Sequence, residues 1–377
     1  DFIRRILQFR AVISTIFLSI CIGQVYAWSL LSEQVKACLN HDMSFAFSLA
    51  ILFLGLSAAF MGKFVEKNPK QTYIISIVFY VLGFMGSGYA CAIKSEPLFY
   101  TSYGVLFGIS CGLGYVAPIK TLMLYFRHNK AVASSIAILS FGLAKTISSP
   151  LYTYLTSNYE IDKVFFILTA IYLVPLVVCG FLFKKFPINY KGKNVEPIRL
   201  KKEIFNYKYI CIWLFFFVNI ACGLAFIAQE AQLYKAYELS LGLITVFCAL
   251  SAAFNAFGRF GFAWISDKTN RYVPYYILFS LSALACAFNI AISNVVVMVA
   301  SVMLINACYG GGFSSLPSLL ASKYGISNTS TIHSLTLSAW GVAGIASLFL
   351  KNLELSVLLP ICLGLYLVNI VLLKLSK

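Results

Sequence analysis

Hydrophobic residues in this chain come in long blocks broken by short polar connections, instead of alternating singly with polar ones. A window of about 19 residues picks out twelve blocks of membrane-spanning length. They cover approximately 11–31, 43–62, 71–93, 97–125, 131–155, 164–183, 209–231, 240–264, 273–293, 295–320, 329–350 and 354–376. Backbone polar groups in lipid must be satisfied within each segment, and the alternation of a barrel strand is absent, so each block is expected to be a helix. The opening block, Ala11–Leu31, contains Gln24 and Tyr26 and does not end in a small-x-small site. It is read as a first span, not a cleaved leader.

The longest polar stretch, Lys184 to Lys208, divides the blocks six and six. The expected organisation is an N-terminal bundle over 1–183, a basic linker over 184–208 that lies against anionic head groups, and a C-terminal bundle over 209–377. The connection Gly62-Lys63-Phe64-Val65-Glu66-Lys67-Asn68-Pro69-Lys70 is echoed by Ala263-Trp264-Ile265-Ser266-Asp267-Lys268-Thr269-Asn270-Arg271. Each copy sets a carboxylate and a following base at a helix end, four residues after a small residue.

Composition agrees with the pattern: 60% of residues are hydrophobic, 11% are charged and mean hydropathy is +0.85, values that exclude an ordinary soluble enzyme. The formal charge of +16 is spread over short runs between the blocks, which argues for lipid contact and against a nucleic-acid partner. One side of the predicted topology collects Arg4, Arg5, Arg10, Lys63, Lys67, Lys70, Arg127, Lys130, the linker, Lys268, Arg271, Lys323, Lys374 and Lys377. The other side has Lys36, Lys94, Lys163, Lys235 and Lys351, so both termini are expected in the cytoplasm of a plasma-membrane protein. The 11 Cys include no C-x-x-C pair and read as small hydrophobic filler; no metal or cofactor is expected. His41, His128 and His333 are scattered and no paired carboxylates converge, so no enzyme is expected.

Three cations fall inside predicted spans: Lys120, Lys145 and Arg259. A charge at the bilayer centre costs about 2.5–3.5 kcal/mol on insertion scales, so each needs a partner, a cavity or a route to the interface. Lys120 precedes Arg127 by seven positions and either snorkels or faces a cavity. Lys145 lies about 21 Å along its helix, too deep to snorkel. Arg259 either packs against Asp267, about two turns on, or serves a cavity. Mid-span carboxylates are absent and Glu230 falls only near the outer end of the seventh span, so the counter-charge is expected to arrive with an anionic cargo. His333 is the one candidate for carrying a proton. Gly104, Gly108 and Gly112 recur every four residues, which permits close helix contact. Tyr26, Trp28, Tyr115, Tyr309 and Trp340 are aromatic side chains with polar handles deep in spans.

The repeated small-x-x-x-acid-base connection resembles the signature of the major facilitator superfamily, with Pro69 and Asn270 standing where Gly is usual. Ordered strings narrow the resemblance to its oxalate/formate antiporter family: Gly23-Gln24-Val25-Tyr26-Ala27-Trp28-Ser29, Gly112-Leu113-Gly114-Tyr115, Phe141-Gly142-Leu143, Gly258-Arg259, Tyr309-Gly310-Gly311-Gly312-Phe313 and Ile332-His333 with Ala339-Trp340. The resemblance implies two pseudo-symmetric six-helix bundles that move a small mono- or dicarboxylate by alternating access, as an antiporter or a proton-coupled symporter. It further implies a clamping Arg at Arg259, with cavity aromatics at Tyr26, Tyr309 and Phe313. The second cation typical of the family is replaced by Trp340, so a relocated charge at Lys120 or Lys145 is the expected substitute. The expected substrate contacts are therefore Arg259, Lys145, Lys120, Gln24, Tyr26, Trp28, Tyr115, Tyr309, Phe313 and Trp340. Glu66, Lys67, Asp267, Lys268 and Arg271 form the expected cytoplasmic gate. A transporter-fold sensor, or an exporter of another substrate class, is the alternative; a monomer is the default for this architecture.

Overall fold

A computed structural model describes residues 2–126, 130–183 and 200–377. Arg127, His128 and most of the linker, residues 184–199, lie outside them, as does the side chain of Glu66.

The described residues form helices with no strand. Ten are long and apolar enough to cross a bilayer: Arg5–Leu30, Pro69–Ala92, Glu96–Leu122, Ile161–Leu182, Tyr207–Ile227, Leu241–Lys268, Val273–Ala291, Val295–Tyr324, Thr331–Lys351 and Leu355–Leu375. The shorter apolar helix Ser44–Phe60 and the 29-residue helix Lys130–Asn158, diluted by Lys, Ser and Thr, complete the twelve passages of the sequence pattern. They are numbered below in chain order as the first to the twelfth span.

The packing repeats itself. In the first half, span 1 packs on 5, 2 on 4, 3 on 6 and 1 on 6. Adding six to each number gives 7 on 11, 8 on 10, 9 on 12 and 7 on 12, all of which are packed pairs in the second half. The cross-half pairs obey the same exchange, since 2 packs on 11 and 5 on 8. Two pseudo-symmetric six-helix bundles result.

Small residues permit these approaches. A Cβ on Gly112 would lie 1.9 Å from Ser57 Oγ, and those on Gly104 and Gly108 would crowd Leu49 and Ala50, so the glycine stripe of span 4 seats span 2. Between the halves, a Cβ on Gly55 would lie 2.2 Å from the backbone nitrogen of Gly341.

Several spans depart from plain α-helix. Span 1 tightens to a 3₁₀ helix over Gly23–Leu30, and span 4 carries a π-helical stretch, Tyr100–Phe107. Such segments often mark functional positions, and the first coincides with the Gly23–Ser29 string. The predicted seventh span ran to residue 231; instead the helix stops at Ile227 and a short second helix, Glu230–Ala236, begins.

The halves are joined at the face opposite the chain termini. Thr153 and Thr245 hydroxyls lie 2.7 Å apart, Thr146 donates to the carbonyl of Ala249 at 3.0 Å, and Gln232 donates to Ser29 and Ser32. Lys235 pairs with Glu33 at 2.7 Å in the open, and Lys351 reaches the hydroxyl of Ser44. Exposed pairs contribute little, so closure rests on the packing of spans 2, 5, 8 and 11.

Gly55→Val should force spans 2 and 11 apart and cost about 1–3 kcal/mol of overpacking, read as a lower melting temperature in detergent. Gly364→Ala, whose added methyl meets nothing within 4 Å and which removes a glycine from the interior of the last helix, should melt at or slightly above the parent's temperature.

Candidate functional site

Arg259 sits about two-thirds of the way along span 8 and is only 2% exposed. Its Nε donates to Oδ1 of Asn255, one turn earlier on the same helix, at 2.9 Å. Its two terminal nitrogens, Nη1 and Nη2, are buried without a hydrogen-bond partner of ordinary geometry, with the hydroxyls of Tyr26 and Tyr115 close by. No carboxylate among the described residues pairs with it. The alternative of an Arg259–Asp267 pair does not occur, because Asp267 binds Arg271 at 2.7 Å.

Room for the guanidinium comes from glycine. A Cβ on Gly142 would lie 3.1 Å from Nε, and one on Gly310 would lie 3.0 Å from Cγ of Arg259 and 2.2 Å from the carbonyl of Asn255. Spans 5 and 10 thereby bring their backbones against the cation.

Aromatic rings enclose it. The guanidinium carbon lies 5.2 Å from the Phe313 ring and 5.9 Å from that of Phe141, within cation–π range. Phe313 touches Trp340 at 4.5 Å between centroids, Trp340 touches Tyr115 at 5.0 Å, and Tyr115 touches Phe141 at 5.1 Å. Tyr26 packs edge-on against Phe141 and Tyr309, and its hydroxyl meets that of Tyr309 at 3.0 Å, a bond between the halves. The hydroxyl of Tyr115 and the indole nitrogen of Trp340 are likewise buried without a partner of ordinary geometry. One cation and several hydroxyl and indole groups therefore converge in a buried cage drawn from spans 1, 4, 5, 8, 10 and 11.

A cavity of about 500 Å³ leads from Arg259 toward the termini-bearing face. Lys120, His333, Ser314, Ser318, Asp267 and Arg271 lie along its wall. Its size suits a small molecule. Lys120 reaches the carbonyl of Gly62 at 3.4 Å, so it serves both the cavity wall and the end of the second span.

Seven sequence-predicted residues are thus brought to the cage or cavity: Arg259, Tyr26, Tyr115, Tyr309, Phe313, Trp340 and Lys120, with His333 beside the last. Three are placed elsewhere. Gln24 is saturated inside the first half, donating to Tyr80 and the carbonyl of Cys21 and accepting from Tyr152. Trp28 is packed among Phe47, Phe99 and Tyr103. Lys145 is 2% exposed and paired with Glu230, itself fully buried, whose other oxygen accepts from Tyr234 at 2.9 Å. The expectation that Lys145 lacks a protein counter-charge is therefore corrected: the carboxylate comes from the helix that starts where span 7 breaks. Of the expected gate, Asp267 and Arg271 pair within their own motif at the cavity mouth, while Lys67 and Lys268 are exposed. Sequence reasoning missed Phe141 and Asn255 as parts of the site; the four-residue step from Asn255 to Arg259 was the available signal.

Residues 9–348 match the profile of the Major Facilitator Superfamily. Over 349 residues the chain is 26% identical to YhjX of Escherichia coli strain K12, described as an uncharacterized MFS-type transporter, covering 89% of this chain and 85% of that one. It is 22% identical to the oxalate:formate antiporter of Oxalobacter formigenes, over 90% of this chain and 82% of the relative. Among solved structures, the transporter FucP in its outward conformation superposes with a TM-score of 0.68 over 98% of both chains; at 14% identity this speaks for fold alone.

Trp340 adjoins the cage and Trp28 does not. A small anion that enters the cage should therefore change tryptophan fluorescence in the parent and in Trp28→Phe, and the change should be largely lost in Trp340→Phe; titration of the purified protein with small anions checks this.

Proposed function

Because the chain belongs to the Major Facilitator Superfamily, we propose that it is a secondary carrier that moves a small monocarboxylate across the membrane by alternating access, in exchange for another carboxylate. The observation that carries this reading is the Arg259 fork, buried with Nη1 and Nη2 unpartnered inside an aromatic cage. A planar guanidinium with two parallel donors, held here only by weakly placed tyrosine hydroxyls, matches a carboxylate bidentately, and burial strengthens the pair. The cargo completes what the protein leaves incomplete.

Charge favours one carboxylate over two. Glu230 neutralises Lys145, which leaves Arg259 as the cage's uncompensated cation among the described residues. Phe313 and Phe141 hold the guanidinium in place, while Tyr115, Trp340 and the Tyr26–Tyr309 pair supply hydroxyl and indole donors around the bound anion. Lys120, on the cavity wall, draws anions inward. The relative described as an oxalate:formate antiporter supports carboxylate exchange as the class of reaction. An exporter of cations would want a carboxylate in the cage, and the described residues provide none.

The biased distribution of Lys and Arg supports a plasma-membrane orientation with both termini in the cytoplasm, so the cavity faces inward and the opposite face is closed. Asp267, Lys268 and Arg271, with Glu66 and Lys67 on the other half, then form the inner gate. A second reading, proton-coupled symport, draws support from His333 on the same cavity wall.

In proteoliposomes, Arg259→Gln should lower uptake of labelled formate or pyruvate by roughly 100-fold or more, the scale of truncating a buried charged partner. Arg259→Lys should fall nearly as far, because a point charge cannot fork. Vesicles preloaded with unlabelled formate should take up label faster than empty ones; equal rates would favour symport.

A further inference from the structure

The buried Lys145–Glu230 pair lines neither the cage nor the cavity, yet it joins the two halves directly behind them. Lys145 follows Phe141 by four residues, which puts it on the same face of span 5 about 6 Å farther from the termini. Gly142, between them, lies against Nε of Arg259. The second cation thus stands one helical turn behind the first, held by a carboxylate from the other half. Both oxygens of Glu230 are engaged, one by Lys145 and one by Tyr234. Hydrophobic residues of like volume commonly replace a buried ion pair without loss of stability, so adhesion alone does not call for charge here.

We propose that Glu230 is a specificity-determining residue that sets the charge of the cargo: by holding Lys145, it restricts the carrier to monoanions. The inference rests on the reading of Arg259 as a carboxylate site. When the halves part at this face, Lys145 stays with span 5 and Glu230 leaves with the second half, and both line the opened space that leads to Arg259. On this side of the cage two cations and one carboxylate leave a single net positive charge, with Lys120 on the opposite, termini-facing wall. A monoanion matches it. The second carboxylate of a dianion has to compete with Glu230 for Lys145 and is repelled by Glu230 throughout, a repulsive element that discriminates between the two cargoes. Glu230 acts through Lys145 and the field of the site and touches no monoanion itself.

The experiment compares uptake of labelled formate and labelled oxalate into proteoliposomes carrying the parent, Glu230→Gln, and the double variant Lys145→Gln/Glu230→Gln. The parent should prefer formate. Glu230→Gln should raise the oxalate-to-formate ratio by about tenfold or more, since a like charge facing the second carboxylate has been removed and Lys145 freed. The double variant, which has no second cation, should lose that gain. Should Glu230→Gln fail to accumulate, Tyr234→Phe loosens the carboxylate while keeping every charge, and should raise the ratio by about threefold to tenfold, the worth of one ordinary hydrogen bond. A parent that carries oxalate as fast as formate overturns the proposal. So does an unchanged ratio in Glu230→Gln, or in Tyr234→Phe where that variant carries the test, and so does a double variant that keeps the raised ratio. In each of these results, formate uptake that still depends on Arg259 leaves the carboxylate site standing. A parent that carries neither anion, or formate uptake indifferent to Arg259→Gln, removes both readings together.

Discussion

A guanidinium held out of water with two of its nitrogens unpartnered is the constraint on which this molecule's arrangement turns. A cation at mid-bilayer depth costs about 2.5–3.5 kcal/mol on insertion scales, and the protein offers Arg259 neutral groups alone: an amide oxygen from Asn255, the faces of Phe141 and Phe313, and the nearby hydroxyls of Tyr26 and Tyr115. Gly142 and Gly310 have no side chains where the arginine needs space, so spans 5, 8 and 10 close around it from both halves. The cage is therefore stable enough to form and incomplete enough to want an anion. Because its walls come from six spans in two bundles, whatever fills the cage is felt by the contact between the bundles, which is what coupling of binding to alternating access requires.

Two deep cations in one chain meet opposite fates. Lys145 has its counter-charge within the fold, supplied by Glu230 and steadied by Tyr234. Arg259 has none among the described residues. Their environments separate a charge that ties the bundles together from a charge with no carboxylate partner among the described residues, and the separation is set by where one carboxylate falls. Glu230 reaches Lys145 because the seventh span breaks at Ala228 and Gln229 and the chain restarts as a short helix with Glu230 at its head.

Much of the fold was legible because lipid demands long apolar runs with internally satisfied backbones. The glycine stripe of span 4 was legible for a similar reason, since close helix contact leaves a four-residue signature. Arg259 stood out as a charge inside an apolar run, and Tyr26, Tyr115, Tyr309, Phe313 and Trp340 followed from the resemblance of their strings. Rotation about the helix axis was not legible. A span that is apolar on all sides has no polar face to fix its orientation, so Gln24 and Trp28, flanking Tyr26 in sequence, were expected in the cage and instead turn into the first half. The tightening of Gly23–Leu30 to 3₁₀ geometry changes the angular step between those residues, and nothing local in their sequence announces it. The Lys145–Glu230 pair was hidden because it joins positions 85 residues apart across the two halves, and because the seventh apolar run gives no sign that its helix ends before Glu230.

The central claim is that the free edge of Arg259 is the binding surface for one carboxylate. Structure determination of the protein with pyruvate bound tests it most directly. The account predicts the carboxylate within hydrogen-bond distance of Nη1 and Nη2 of Arg259, one molecule per chain, between Phe313, Tyr115 and Trp340. A ligand seated away from Arg259, or an Arg259 whose terminal nitrogens are bonded to the protein while cargo is bound elsewhere, would contradict it.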